Sequence, residues 1–353
     1  YLALIGGGYN YTIGNAGTIT TGYAPLSLEN PDLQWEQTSQ VDIGFDAILF
    51  KTMNLTVDYY NKKTSGILRD VNIPGYVGTA NPPSDNVADM TNSGIEIELG
   101  YQKSFKGLNF SAVGNFAYNN NNVTYVAADT NFIIGDASFQ SMGVVTRTGV
   151  GHSYNSFFGY QTAGIFQNMD EVNAYTNKTG GLIQPNALPG DFRWQDTNGD
   201  GTINADDKTF LGSSLPKYTF GLTLNADYKG FDLMVFFQGT AGSEIFQGLR
   251  RLDILNANYQ TKAMGRWTGE GTSDTYPRLS STDPNGNFTN MSNFYLESGD
   301  YLRMKLLQLG YTLPASIASK IYATKLRVYV TAQNLFTMTN YTGYDPEIGG
   351  GVY

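Results

Sequence analysis

The segment from Lys325 to Glu347, KLRVYVTAQNLFTMTNYTGYDPE, decides the fold class. Its first half places the apolar residues Leu326, Val328, Val330 and Ala332 in alternation with Arg327, Tyr329, Thr331 and Gln333. Successive side chains of a β-strand point to opposite faces, so this alternation predicts a strand between an apolar and a wet environment. The strand runs into a turn and a loop rich in Tyr, Gly and Asp. This combination is typical of a transmembrane barrel strand that ends in a surface loop.

The composition agrees with such a barrel. Of the 353 residues, 15% are charged and 14% are aromatic, with 41 Gly, 25 Tyr and 20 Phe, whereas soluble proteins carry about 25% charged residues. An extracellular β-sandwich or solenoid could share this composition. No apolar run reaches the roughly 18 to 20 residues of a membrane-spanning helix. The net charge of -9 argues against a nucleic-acid partner.

Alternation of this kind predicts about ten strands along the chain. The clearest is residues 93–99, where Ile95, Ile97 and Leu99 alternate with Glu96 and Glu98. A cation against lipid costs on the order of 2 to 4 kcal/mol and a carboxylate somewhat less, so we expect both glutamates to face the lumen. The other predicted strands and strand fragments are residues 40–50, 55–59, 108–112, 123–127, 156–166, 220–227, 231–238, 301–311 and 326–337.

Short turns alternate with long excursions between these strands. The short turns are Lys51-Thr52, residues 104–107 and Lys229-Gly230, and the long excursions are residues 64–92, 119–214 and 250–290. In bacterial outer-membrane barrels the short turns are periplasmic and the long loops are extracellular. No repeat with a fixed period indicates a propeller or a β-helix. We therefore interpret residues 1–353 as one partial barrel. Residues 1–14 do not have the pattern of a secretory signal, so we expect the true N-terminus to lie elsewhere.

Residues 196–207, DTNGDGTINADD, carry the only ligand chemistry at fixed spacing. The segment has the spacing of an EF-hand calcium loop, with Gly201 at the sharp turn and Ile203 as an anchor. Asp207 takes the twelfth position, where Glu is usual, so binding is expected to be weaker or altered in geometry. A solvated Asx-rich turn is the alternative. The predicted ligands of a structural Ca²⁺ ion, or of another cation, are Asp196, Asn198, Asp200, Thr202, Asn204 and Asp207.

Other chemically suggestive residues carry weaker predictions. Phe157, Phe158 and Tyr160 are candidates for stacking on a substrate or for contact with a partner, although aromatic residues are common in barrels. His152 is the only histidine, which excludes a multi-His metal site, and it is interpreted as an ordinary loop residue. Paired carboxylates for glycoside hydrolysis must converge from separate elements, which the sequence does not indicate. The chain is therefore not expected to be an enzyme.

Four segments, in this order, resemble SusC-like TonB-dependent transporters of Bacteroidota. They are NPDLQWE at residues 30–36, DYY at 58–60 with NSGIE at 92–96, PGD at 189–191 before the predicted calcium loop, and GDYLR at 299–303 with NLF at 334–336 and YDPE at 344–347. The resemblance implies an all-β transmembrane antiparallel barrel. Such barrels have about 22 strands, so the chain would be a C-terminal portion, with the plug domain, TonB box and last strand outside it.

The resemblance also implies a function. It implies TonB-dependent import of an oligosaccharide or oligopeptide across the outer membrane of a Gram-negative bacterium. A SusD-like surface lipoprotein would cap the barrel, in a paired assembly of two SusC-like and two SusD-like chains. The alternative is an extracellular calcium-dependent β-rich adhesin or carbohydrate-binding protein. In the adhesin Ile95, Ile97 and Leu99 would pack against a second sheet, whereas in the importer they would face lipid.

Overall fold

The computed structural model describes residues 4–13, 17–71, 76, 81–127, 132–135, 137–250, 252 and 257–347. In chain order the strands are β1 (Leu4–Ile13), β2 (Thr18–Ser27), β3 (Gln37–Leu49), β4 (Met53–Asp70), β5 (Ser84–Phe105), β6 (Leu108–Val126), β7 (Phe132–Ile134), β8 (Ser138–Phe139), β9 (Gly143–Val144), β10 (Thr146–Gly149), β11 (Ser156–Gly159), β12 (Thr162–Ile165), β13 (Phe192–Trp194), β14 (Thr209–Gly212), β15 (Tyr218–Tyr228), β16 (Phe231–Ala241), β17 (Glu244–Phe246), β18 (Leu296–Ser298), β19 (Tyr301–Thr312) and β20 (Arg327–Thr339). The helices are α1 (Met169–Ala174) and α2 (Ala315–Ala318), and 3-10 turns lie at Gln140–Met142, Ala205–Asp207, Thr261–Gly265, Asn293–Tyr295 and Ser319–Ile321.

Eight long strands form one antiparallel sheet, which we call the wall. Its order is β20-β19-β16-β15-β6-β5-β4-β3. Successive long strands of the chain are neighbours in the sheet, as in an up-and-down barrel. The wall confirms the predicted fold class, a portion of an antiparallel barrel. No helix among the described residues is long and apolar enough to cross a membrane.

The connections at the two ends of the wall differ in length, as the sequence predicted. The β5–β6 and β15–β16 hairpins turn at Lys106-Gly107 and Lys229-Gly230, whose φ angles are 45° and 83°, and 48° and 89°. Positive φ at both central residues is the type I′ turn, whose twist matches that of the flanking strands. At this end residues 313–326 form a longer connection, between β19 and β20. The two longest connections, β6–β15 and β16–β19, lie at the opposite end together with the β4–β5 connection.

Strand register gives the wall one apolar and one polar face. Ile95, Ile97 and Leu99 lie on the apolar face and are 42%, 37% and 41% exposed. Glu98 pairs with Thr56 and Asn115 in a row across the polar face. No second sheet covers the apolar side chains within the described part of the chain. This face would be unfavourable in water and is suited to lipid.

Several strands are longer than the alternation predicted. The predicted excursion at residues 64–92 is wrong for most of its length, because β4 continues to Asp70 and β5 already begins at Ser84. β6 likewise continues to Val126 through Asn119–Asn122. Beyond the depth of the lipid both faces of a strand meet polar surroundings, so the apolar half of the pattern disappears while the backbone pairing persists.

The long excursion predicted at residues 119–214 is also more ordered than expected. From residue 132 it contains the eight short strands β7 to β14 and the helix α1. Together with the described residues of 242–300 they make up what we call the loop unit, residues 132–217 and 242–300. Three apolar clusters form the core of its described part, around Phe139, Val145, Phe157 and Met291, around Tyr160, Ile165, Phe192 and Trp194, and around Phe166, Val172 and Ala187. The hairpin of β1 and β2 was not predicted.

Candidate functional site

A buried ion pair lies at the centre of the loop unit. Arg278 Nε and Nη2 donate to the two carboxylate oxygens of Asp191 at 2.7 and 3.1 Å. Asn287 Nδ2 and the Leu188 amide donate to the same carboxylate at 2.8 and 2.9 Å. Asp191 is fully buried, whereas the Arg278 side chain is 21% exposed. A buried carboxylate is tolerated only with such partners, so the PGD segment fixes the geometry around it.

Amide side chains extend this polar cluster to the backbone of β13. Gln184 accepts from the Trp194 amide at 2.7 Å and donates to the Phe192 carbonyl at 3.0 Å. Asn287 Oδ1 accepts from the Phe192 amide at 3.0 Å. β13 is thereby held between two loop segments, and it leads directly into the predicted calcium loop.

Within the predicted calcium loop, side-chain oxygens accept from nearby backbone amides. Asp196 accepts from the Gly199 and Gly201 amides at 2.7 and 2.8 Å. Asp200 accepts from the Thr202 hydroxyl and amide, both at 2.8 Å. These hydrogen bonds from Thr202 lower the pKa of the Asp200 carboxyl below its ordinary value. Negative charge is therefore favoured at the fifth position of the loop.

The end of the loop is closed by Asp207, which is fully buried. Its carboxylate accepts from the Thr197 and Asn204 amides at 2.9 and 2.8 Å. Asn204 caps the following 3-10 turn by accepting from the Asp206 amide at 2.7 Å. Ile203 packs against the Tyr160 cluster, in the anchoring place expected for it.

The donor types in this loop fit calcium. Carboxylate, amide and backbone carbonyl oxygens are the ligands that Ca²⁺ takes in proteins. Among the residues that the structure describes, no group of three or more His, Cys, Asp or Glu side chains is placed to hold a metal ion. The ligand set of Asp196, Asn198, Asp200, Thr202, Asn204 and Asp207 stays a prediction.

The three aromatic candidates occupy different environments. Phe157 and Tyr160 are buried in two different apolar clusters, whereas Phe158 is half-buried. The alternation of β11 turns Phe158 away from the core that holds Phe157. Their role in substrate binding stays a prediction, and Phe158 is the one with the most accessible ring.

Sequence reasoning missed two cations beside these aromatic rings. The Arg147 guanidinium lies 3.7 Å from the ring centroid of Phe132 and 3.6 Å from that of Phe158. Lys208 Nζ lies 5.2 Å from the ring centroid of Tyr160. In the sequence Arg147 and Lys208 are isolated basic residues that lie far apart. Only strand pairing places both beside the aromatic rings, so no sequence pattern indicated them.

The polar face of the wall carries a shallow acidic depression of about 400 Å³. Asp58, Glu96 and Glu98 line it together with Thr219. Both glutamates lie opposite the apolar Ile95, Ile97 and Leu99, as the alternation predicted. Within the described residues none of these three acids forms an ion pair, which leaves a negative strip along this face.

The YDPE segment is tied to the same wall. Arg303, which is almost fully buried on β19, donates to Asp345 at 2.6 Å and to Glu347. Lys305 Nζ also lies 2.6 Å from Glu347. Tyr301 donates its hydroxyl to Glu347 at 2.9 Å. The segment after β20 is thus held against β19 by charge-assisted hydrogen bonds.

Comparisons with known proteins agree with this architecture. The profile of the family described as TonB dependent receptor-like, beta-barrel matches residues 4–335. TonB-dependent receptor P3 of Formosa agariphila is 30% identical over 339 residues, covering 94% of this chain and 32% of the relative. TonB-dependent receptor SusC of Bacteroides thetaiotaomicron is 25% identical over 331 residues, covering 92% and 31%.

Solved structures show the same fold. The RagAB peptide importer in its open-open state matches with a TM-score of 0.75 at 27% identity, covering 99% of this chain and 36% of that chain. Its closed-closed state matches with a TM-score of 0.74 at 27% identity and the same coverage. The chain therefore spans about a third of the length of the relatives it matches. From its profile, its relatives and its fold, the chain belongs to the TonB-dependent receptor β-barrel family of the outer membrane and is SusC-like.

Proposed function

We propose that this chain is part of an importer that carries an oligosaccharide or an oligopeptide across the outer membrane with energy delivered through TonB. The proposal rests on the combination of three features in the structure. One face of the wall exposes apolar side chains, the other is polar, and the long connections at one end form a folded unit. A passage through lipid with a binding surface at its mouth requires these three features.

The partners follow from the same proposal. A SusD-like lipoprotein would contact the loop unit, and TonB would act through a region of the importer outside this chain. The similarity to the RagAB peptide importer in its open-open and closed-closed states supports the import function of the proposed assembly. A paired assembly of two copies of each chain is part of the proposal.

Calcium has a supporting role in the proposed importer. Bound at residues 196–207, it would neutralise Asp196 and Asp200, which otherwise repel each other. The loop lies directly after β13, which the buried Asp191 cluster holds in place. The ion would therefore stiffen the loop unit and would take no part in a reaction. The proposal assigns no catalytic activity to the chain.

The rival function, a calcium-dependent adhesin, fits the structure less well. An adhesin in water would cover Ile97 and its neighbours with a second sheet, yet no such sheet is present in the described ranges. The exposed apolar face would then promote aggregation.

The testing experiment is a pull-down of the native full-length protein from detergent-solubilised outer membranes, followed by mass spectrometry. We expect a SusD-like lipoprotein in a stoichiometric amount. Uptake of fluorescent oligosaccharides and oligopeptides by cells with and without the gene then separates the two substrate classes. Recovery of the protein in the soluble fraction without a lipoprotein would favour the adhesin.

A further inference from the structure

One face of the small sheet in the loop unit is cationic and aromatic. The sheet has the order β14-β11-β10-β7. Arg147 pairs with Ser156, and Phe158 pairs with Phe210, so the Arg147, Phe158 and Phe210 side chains share a face. Phe157 lies on the opposite face and packs in the core. The sheet therefore has one face that packs in the core around Phe157 and one that carries Arg147 with the rings of Phe158 and Phe210.

Arg147 is held in an unusual way on this face. Its guanidinium lies between the rings of Phe132 and Phe158, at 3.7 and 3.6 Å from their centroids. The two rings cover the flat faces of the guanidinium and leave its N–H edge for hydrogen bonding. The Arg147 side chain is half-buried, and this burial lowers the pKa of its guanidinium from the ordinary value.

No acidic side chain within the described ranges forms an ion pair with Arg147. The same holds for Lys208, whose Nζ lies over the ring of Tyr160. Thr209 pairs with Gly159, so Lys208 and Arg147 both lie along β11, beside Tyr160 and Phe158. A partly buried positive charge without an ion-pair partner is costly, and an anion bound beside it would reduce that cost. The rings of Phe132 and Phe158 fix the plane of the Arg147 guanidinium. A planar anion such as a carboxylate can therefore accept hydrogen bonds from its N–H edge.

We propose that Arg147 and Lys208 form a subsite for a carboxylate group of the transported molecule. The proposal rests on the proposed import function and narrows it to acidic cargo. The carboxylate accepts hydrogen bonds from the N–H edge of Arg147 and from the Lys208 ammonium, beside the ring of Phe158. A carboxylate of an acidic sugar and the C-terminal carboxylate of a peptide are the two sources of this chemistry.

The test measures binding of two probe pairs to the purified full-length transporter with its lipoprotein, by calorimetry. One pair is trigalacturonate and its methyl ester, and the other is pentaalanine and its C-terminal amide. The wild type is expected to bind the charged member of one pair about tenfold more tightly than the uncharged member. The pair that shows the preference identifies the source of the carboxylate.

Substitutions at Arg147 and Lys208 test whether these two residues cause the preference for the charged probe. Arg147→Gln and Lys208→Met are expected to remove the preference for the charged probe and to leave the dissociation constant of the uncharged probe unchanged. Arg147→Lys, which keeps the charge without the planar fork, is expected to retain part of it. Lys178→Met, at an exposed cation elsewhere in the loop unit, serves as the matched control. Tryptophan fluorescence checks that each variant is folded.

Three results would overturn the subsite: equal binding of charged and uncharged probes by the wild type, equal weakening of both probes in the variants, or binding of neither pair. Failure of the import function itself would look different. It would appear as loss of the co-purifying lipoprotein and of uptake, whichever probe is used.

Discussion

In the wall, Ile43 and Val330 are 67% and 74% exposed, whereas in the loop unit Phe166 and Trp194 are 0% and 2% exposed. Apolar side chains are therefore arranged for lipid in the wall and for water in the loop unit. The wall turns apolar groups outward, where lipid receives them, and holds itself together by pairing between strands. The loop unit stands in water and buries its apolar groups as a soluble domain does. The two regions should accordingly fail under different perturbations.

The largest expected effect comes from breaking the buried ion pair, which should destabilise the loop unit and leave the wall folded. Asp191→Ala leaves Arg278 and Asn287 without their buried acceptor, and breaking a buried pair costs about 3 to 5 kcal/mol. The loop unit should unfold at lower denaturant while the wall stays folded. Trp194 and Trp267 report on the loop unit by fluorescence, and the heat-induced shift of the barrel on gels reports on the wall.

The matched control is the double variant Asp191→Leu with Arg278→Met, which replaces the pair by apolar groups. It is expected to recover a large part of the lost stability. Simultaneous loss of the wall and the loop unit in the single variant would show that the two regions unfold as one.

The next effect concerns the wall alone. Ile97→Arg places a cation on the lipid face, which costs about 2 to 4 kcal/mol at the bilayer midplane. Folding into lipid vesicles, followed by urea titration, measures the loss. Thr219→Arg, on the polar face of the wall, is the control and should fold normally. Equal effects from both substitutions would contradict the assignment of the lipid-facing side.

Calcium should stabilise only the loop unit. At a free concentration 100 times its dissociation constant, a ligand of the folded state adds about 2.7 kcal/mol. We expect calcium to raise the melting temperature seen by tryptophan fluorescence, and EDTA or Asp200→Ala to remove the increase. Asp274→Ala, at an exposed acid of the loop unit, is the control. An unchanged melting temperature in calcium and in EDTA would refute the metal assignment.

The smallest effect appears only at alkaline pH. Burial raises the pKa of Tyr276 to about 12, whereas the pKa of a tyrosine in an unfolded chain is about 10. Between these values the unfolded state has lost a proton that the folded state keeps, so stability falls as the pH rises from about 10. Below about pH 10 this contribution is constant.

The measurement is urea unfolding of the loop unit at a series of pH values. Tyr276→Phe should flatten the alkaline decline, and Tyr322→Phe, at a fully exposed tyrosine in the connection between β19 and β20, should leave it unchanged. An identical decline in the Tyr276→Phe variant would show that another group is responsible.

Sequence alternation predicted the wall well because lipid imposes a strict rule on each strand. Val328 and Val330 share one face of β20, and Thr331 meets Gln308 across the other, as the pattern indicated. The rule stops at the edge of the lipid. The parts of β4, β5 and β6 nearest the long connections were therefore missed, since their polar residues resemble those of a loop.

The centre of the loop unit was predicted only in part. The PGD segment was recognised, but the partners of Asp191 lie 87 and 96 residues further along the chain, at Arg278 and Asn287. Contacts at such separations depend on the folded loop unit and leave no periodic trace. The predicted calcium loop was visible because its ligands lie within one short segment. Arg147 and Lys208 were not predicted because they lie in two segments that are far apart in the sequence.

The buried Asp191 cluster also has an evolutionary consequence. Because the loop unit is held from within, exposed positions on its surface can be exchanged at a cost that is usually within about 0.5 kcal/mol. A lineage could thus diversify the rim that meets phage, antibodies or new nutrients while inheriting the scaffold unchanged. Selection on the surface and selection on the scaffold would then proceed independently.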